Sequence, residues 1–234
     1  VATVNLYVVG FGRPDLLMEQ GRLLRKYMRD DYAVCVVDNT LDEKRYIMQT
    51  VAESIGADYL YVEGQKHEHP DALNFAVQRA NLDEFFGFLD HDIFPRRPVE
   101  GIIDTLKKVG FYGIGQSHAP TGRQYLWPGL CFFSRAWLGD RRLDFNGIRG
   151  VDKREDGDCG SGNWPLFADE DWRNIHGVLD HGYGFLRAPD AHGLQSFGYE
   201  LMGPWIHLTN ASNWMAIPNP EERDRLAREL VESL

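Results

Sequence analysis

Along the first half of the chain, short apolar runs alternate with stretches whose apolar residues recur every three or four positions. Val4 to Gly10 is an apolar run closed by a glycine and predicts a buried strand. Leu16, Leu17, Leu23, Leu24, Tyr27 and Met28 then fall at helical spacing. Tyr32 to Val37, dense in β-branched residues, predicts a second strand, stopped by Asp38, Asn39 and Thr40. Ile47, Val51 and Ile55 mark a second helix, Asp58 to Val62 a third strand, and Ala72, Leu73, Ala76, Val77 and Ala80 a third helix. Phe85 to Leu89 is a fourth strand. Val99, Ile102, Ile103, Leu106 and Val109 form a fourth helix.

Strands alternating with helices of this length require right-handed crossovers, so the expected fold is α/β with a mostly parallel central sheet flanked by helices. Such sheets bind ligands beyond the carboxyl ends of their strands. The residues that follow those strands, Phe11 to Arg13, Asp38 and Asn39, and Asp90 to Asp92, are therefore expected along one edge. After Phe111 helical periodicity fades and Gly, Trp, Pro and His become frequent. Arg149 to Asn163 is charged and glycine-rich, which predicts a mobile loop or lid with Trp164 as an anchor. Near the end, Asn219-Pro220-Glu221-Glu222 reads as a helix start with Asn219 as the cap, and Leu226, Leu230, Val231 and Leu234 supply its apolar stripe.

A length of 234 residues fits one large domain or two small ones. The net charge of −10 argues against nucleic-acid binding, and an acidic protein that handles phosphates needs a local neutraliser such as a metal ion. No apolar run approaches a membrane span. The three cysteines, Cys35, Cys131 and Cys159, form no C-x-x-C pair; Cys35 and Cys131 sit in apolar runs as buried thiols, which suggests a reducing, cytoplasmic setting.

The most informative stretch is Phe85 to Pro95, where an apolar strand runs into Asp90-His91-Asp92. In extended backbone, residues two apart share a side, so both carboxylates can face one ligand while His91 faces away. Two carboxylates that close repel, and a hard divalent cation relieves the repulsion through oxygen ligands suited to Mn²⁺ or Mg²⁺. The plain alternative is a solvated turn with two surface aspartates.

In layout the chain resembles the GT-A glycosyltransferases, especially family 2-like members. Val36-Val37-Asp38-Asn39-Thr40 is similar to their second-strand motif, Leu73-Asn74-Phe75-Ala76 to the helix start before the D-x-D strand, and Trp127-Pro128-Gly129-Leu130 to the stretch that lines the donor sugar. The resemblance implies a single domain, with residues 1–95 as nucleotide half and 96–234 as acceptor half. It implies a donor site at Gly10, Phe11, Arg13, Asp38, Asn39, Asn74, Asp90 and Gly129, with Asp38 at the base and Asp90 at the ribose. The metal ligands it implies are Asp90, Asp92 and a late histidine, here His207. Within Ala168-Asp169-Glu170-Asp171-Trp172, it implies Asp171 as general base of an inverting reaction, Glu170 on acceptor hydroxyls and Trp172 under an acceptor ring. A helix N-terminus dressed with acids would read the same way. The partners implied are a UDP-, GDP- or dTDP-sugar and a glycan or other hydroxyl acceptor.

Several further patterns point less far. His67 and His69 form an H-x-H without the partners of a zinc site and read as polar loop residues bordering the donor. Asp152 to Asp158 resembles a calcium loop in composition, but Arg154 occupies a ligand position. Gly10-Phe11-Gly12 lacks the third glycine of a dinucleotide fingerprint. A nucleotidyltransferase would share the sheet and metal but usually has a basic, glycine-rich first loop, where only Arg13 is basic here. A sugar-binding module could use Trp127, Trp164, Trp172, Trp205 and Trp214 as a stacking surface without needing the acidic pair.

Overall fold

A computed structural model describes residues 2–40, 45–63, 68–80, 83–118, 122–147, 159–168, 177–187, 197–209, 211 and 220–234. In chain order the elements are β1 (Val4–Gly10), α1 (Pro14–Tyr27), β2 (Tyr32–Asp38), α2 (Arg45–Ser54), β3 (Asp58–Tyr61), α3 (His69–Ala80), β4 (Phe85–Asp90), β5 (Ile93–Pro95), α4 (Ile102–Val109), β6 (Phe111–His118), β7 (Arg123–Ser134), α5 (Arg135–Leu138), a 3-10 helix (Ser161–Phe167), β8 (His181–Arg187), β9 (Phe197–Met202), β10 (Trp205–His207) and α6 (Pro220–Glu232).

Six strands form the central sheet in the order β3-β2-β1-β4-β7-β6. The ladders β3-β2, β2-β1 and β1-β4 are parallel, whereas β7 runs antiparallel to both β4 and β6. The predicted α/β class and the strands of the first half stand. The register aligns Gly10 with Asp38 and Val9 with Asp90, so the ends of β1, β2 and β4 lie along one edge. One apolar cluster, with Leu6, Leu17, Val36, Leu89 and Phe132, packs beneath α1, α2 and α4. A second, with Val37, Leu73, Phe86, Phe88 and Phe145, lies under α3. Strand β4 is buried on both faces up to Asp90, because its residues feed both clusters.

The second half holds what periodicity did not show. Strands β6 and β7 complete the central sheet, and a second, antiparallel sheet forms in the order β5-β10-β9-β8. Strand β7 is buried along nearly its whole length, so it carries no polar alternation to mark it as a strand. One face of the second sheet brings Met202 and Trp205 into the first cluster. The other presents Tyr199, Leu201 and Ile206 to Leu16, Leu23, Ala227 and Val231 of α1 and α6.

Some boundaries differ from expectation. The fourth helix starts at Ile102, because Gly101 before it is left-handed (φ 76°). Val99 instead bridges Met28 and exchanges backbone hydrogen bonds with Tyr27 and Arg29. Within the predicted mobile loop, residues 148–158 lie outside the described residues, but Ser161 to Phe167 is helical and Arg123 lies 4.4 Å from the Trp164 ring. Helix α6 begins at Pro220, as its sequence predicts, with Val231 buried and Leu230 and Leu234 packed on its cluster; Asn219 lies outside the described residues. Cys131 is buried, whereas Cys35, expected to be, is only half-buried, on β2 opposite Asp58 of the edge strand β3. Among the described residues no helix is long and apolar enough to cross a membrane.

Gly87 sits in β4 against the Phe132 ring of β7, and a Cβ there would lie 2.2 Å from that ring. Gly87→Ala is therefore expected to destabilise the fold by about 1–3 kcal/mol through overpacking. Urea denaturation measures it; an unchanged midpoint would mean that Phe132 moves aside freely.

Candidate active site

The site is built where β4 leaves the central sheet. The strand ends at Asp90, and His91 and Asp92 form a turn that carries the chain into β5 of the second sheet. The extended spacing expected for Asp90 to Asp92 is thus replaced by a turn, because the chain changes sheets there. Gln20 braces it: its side-chain amide donates to the carbonyls of Asp90 (2.8 Å) and Ile93 (2.7 Å) from the buried face of α1. Asp92 accepts from the Leu208 N–H through its backbone (2.9 Å). His91 does face away, 3 % exposed, with Nδ1 3.1 Å from the Val9 carbonyl.

Each carboxylate faces an imidazole. Asp90 Oδ1 lies 2.8 Å from His69 Nε2. Asp92 Oδ1 lies 3.6 Å from His207 Nε2. Glu200 holds the far side of that ring, with Oε2 2.6 Å from Nδ1. Trp127 covers it, with ring centroids 4.9 Å apart. A carboxylate behind a histidine fixes the ring and its tautomer, leaving Nε2 turned to the site.

The charges are interdependent. Burial disfavours an ionised Asp90, yet His69 first, and then His207 and His91, hold its carboxyl below the usual range. Burial likewise disfavours a charged His207, but Asp92, Glu200 and Asp90 raise its pKa. The same balance places His69 well above its ordinary value, through Asp90 and then Cys159. Hydrogen bonding to His207 is the main reason Glu200 titrates low. The site thus pairs Asp90 with His69 and sets His207 between Asp92 and Glu200.

Oxygen ligands from Asp90 and Asp92 with one imidazole suit Mn²⁺ or Mg²⁺. Among the described residues, however, no three His, Cys, Asp or Glu side chains are grouped to hold a metal ion as they stand. Asp90 Oδ1 is taken up by His69 in this arrangement.

Other expected residues also have partners inside the fold. Asp38 is fully buried; its Oδ1 accepts from Thr40 N–H (2.9 Å) and its Oδ2 from Tyr59 O–H (2.6 Å). Burial and that hydrogen bond raise the Tyr59 pKa. Thr40 Oγ1 in turn accepts from Gly12 N–H (2.8 Å), which ties the loops after β1 and β2 together. Asp38 is therefore an organiser of this edge, with both oxygens engaged inside the fold. Asn39 donates its backbone N–H to Gly10 O (2.9 Å), beside half-buried Phe11. Arg13 points to the C-terminal helix: its guanidinium binds Asp15 (2.7 Å), Asp224 (2.5 Å) and the Ala211 carbonyl (2.9 Å). Asn74 Oδ1 accepts from Phe145 N–H (2.9 Å), fastening the segment after α5 to α3. Gly129 is buried with the Trp127 ring over it, 2.4 Å from where a Cβ would sit. His67, Glu170, Asp171 and Trp172 lie outside the described residues.

Sequence reasoning missed His69 as the Asp90 partner, as well as Gln20 and Glu200. His69 is the first residue of α3 and not a loop residue, and its Nδ1 lies 3.9 Å from Cys159 Sγ. Gln20 had a legible signal: it is the polar member of the apolar stripe Leu16, Leu17, Leu23, Leu24. Glu200 had none, since its pairing with His207 depends on strand register.

No protein-family profile matches the chain, and no curated protein sequence matches it. Among solved structures, the mannosyltransferase PcManGT from Pyrobaculum calidifontis in complex with GDP-Man and Mn²⁺ is similar over 58% of this chain and 45% of its own, with 19% identity and a TM-score of 0.42. S. aureus TarS is similar over 61% of this chain and 30% of its own (16% identity, TM-score 0.47). Its 1-349 fragment in complex with UDP-GlcNAc is similar over 61% and 48% (17% identity, TM-score 0.45). The match thus spans less than half of each of these three chains, and likenesses this distant assign neither activity nor ligand.

A raised histidine pKa means that the ion pair stabilises the fold fully below the unfolded value, ~6.5, and is lost as pH rises through the folded value. The carboxylates behave oppositely, their contribution vanishing as pH falls through their lowered folded values. The melting temperature of metal-free protein should therefore decline as pH rises above about 6.5. His207→Gln should flatten that decline. Parallel pH profiles for the two proteins would show that His207 gains no proton affinity on folding.

Proposed function

We propose that the chain is a metal-dependent glycosyltransferase, moving a sugar from a nucleotide-sugar donor to an acceptor hydroxyl with inversion. One observation carries the reading: β4, inside a mostly parallel sheet, ends at Asp90 with Asp92 in the turn after it, and Glu200 holds His207 with Nε2 toward Asp92. That edge is where α/β sheets bind phosphates and nucleotides. In this reading residues 1–95 bind the nucleotide and 96–234 the acceptor.

Asp92, His207 and, on leaving His69, Asp90 would hold Mn²⁺ or Mg²⁺, which when bound would supply positive charge against the donor's diphosphate. His69, at the first position of α3, borders the same rim. The loop after β1, held by Thr40, brings Gly10 and Phe11 beside the nucleotide. Asp38 shapes that wall through Thr40 and Tyr59. On the acceptor side, Glu170 binds hydroxyls and Asp171 accepts the acceptor proton. The acceptor oxygen then bonds to the anomeric carbon as the bond to the diphosphate breaks.

The nucleotidyltransferase alternative loses ground in the first loop. Its basic residue, Arg13, is engaged by Asp15 and Asp224 and faces α6.

Isothermal titration of UDP, GDP and dTDP, with and without Mn²⁺, tests the reading. One nucleotide should bind, at least tenfold more weakly without Mn²⁺, and Asp92→Ala should abolish the Mn²⁺ dependence, consistent with loss of ~1.4 kcal/mol or more of ion-mediated binding. If no nucleotide binds in either condition, the site is not a donor site.

A further inference from the structure

Strand β8 is the outer strand of the second sheet among the described residues, and it carries two large apolar side chains in water: Tyr183 is 71% exposed and Phe185 56%. They are two apart, so they share a face with His181. Strand register identifies the face. Tyr183 pairs with Glu200, and Glu200 pairs with His207, so one row crosses three strands from the aromatic pair to the metal candidate. The row is also linked by contact: His181 Nε2 lies 3.4 Å from Glu200 Oε1, His181 and Tyr183 rings are 4.7 Å apart, and Glu200 Oε2 reaches His207. Opposite Phe185 stands Gly198, so the position beside that ring carries no side chain.

We infer that Tyr183 and Phe185, with Glu200 and His181 at their inner edge, form the subsite that receives a neutral pyranose of the acceptor. The inference rests on the transferase reading and extends it to a part of the molecule that reading leaves without a role. Three features select this occupant. A pyranose presents a flat C–H face and a rim of hydroxyls, which match an aromatic face bordered by a carboxylate and an imidazole. Two strand spacings of about 4.8 Å put Tyr183 about 10 Å from His207, leaving room for a transferred sugar between metal and acceptor. Glu200, with Asp180 exposed at the strand's start, disfavours an anionic ligand. A second copy of the chain fits less well, since two chains of net charge −10 meeting here would bring the Asp180 and Glu200 carboxylates of both copies into one interface.

Saturation-transfer NMR with chitobiose, cellobiose, maltose and mannobiose, in the presence of Mn²⁺ and the nucleotide that binds, tests the subsite. At least one disaccharide should show transfer to its ring C–H protons. Tyr183→Ala/Phe185→Ala should weaken it about three- to ten-fold, and Tyr183→Trp should retain it. Both variants change exposed side chains and should keep the wild-type melting temperature and nucleotide affinity. Equal transfer in the alanine variant, or no transfer from any disaccharide while nucleotide still binds, overturns the subsite and leaves the donor reading standing. Self-association of the wild type that the alanine variant abolishes also overturns it, in favour of an interface between copies. Absence of nucleotide binding in the wild type instead removes the donor reading, and the subsite with it.

Discussion

Two carboxylates held two residues apart at the end of a buried strand repel one another, and much of this structure is arranged to keep them there. Strand β4 has no freedom to relax the repulsion, because its side chains fill clusters on both faces of the sheet. Gln20 fixes the turn from α1, and the backbone of Leu208 fixes it from the segment after β10. His69 beside Asp90 and His207 facing Asp92 answer that repulsion here. In the proposed function a cation would take over that part.

The first half of the fold was legible because parallel strands buried on both faces read as apolar runs, and the helices between them carry one apolar stripe each. Val4–Gly10 and Phe85–Asp90 are such runs. The second half was not, for a related reason. Strand β7 is as buried as β4 but is broken up by Pro128 and Gly129, and the second sheet joins short strands of three to seven residues, β5 lying far upstream of the other three. Short strands bury too few residues to leave a period, so only their partners identify them.

The site divides along the same line. Asp90, Asp92 and His91 were readable because a local pattern fixed their setting. The partners that decide their chemistry were not, since His69, Glu200 and Gln20 arrive from other elements. Where a motif suggested contact with a ligand, the fold sometimes uses the residue to hold itself together: Asp38 fastens Thr40 and Tyr59, Arg13 tethers α6, and Asn74 fastens Phe145. A polar residue at a strand end has two employments, binding a ligand or closing a loop, and sequence alone does not separate them.

The account's central claim is that Asp90, Asp92 and His207 share one divalent cation. Crystals grown with Mn²⁺ and the cognate nucleoside diphosphate, measured at the manganese edge, test it most directly. The account predicts one strong anomalous peak about 2.2 Å from an Asp92 oxygen and His207 Nε2, with Asp90 turned away from His69 toward it. An anomalous map with no peak at this turn, or with its peak elsewhere in the molecule while Asp90 stays on His69, would contradict it.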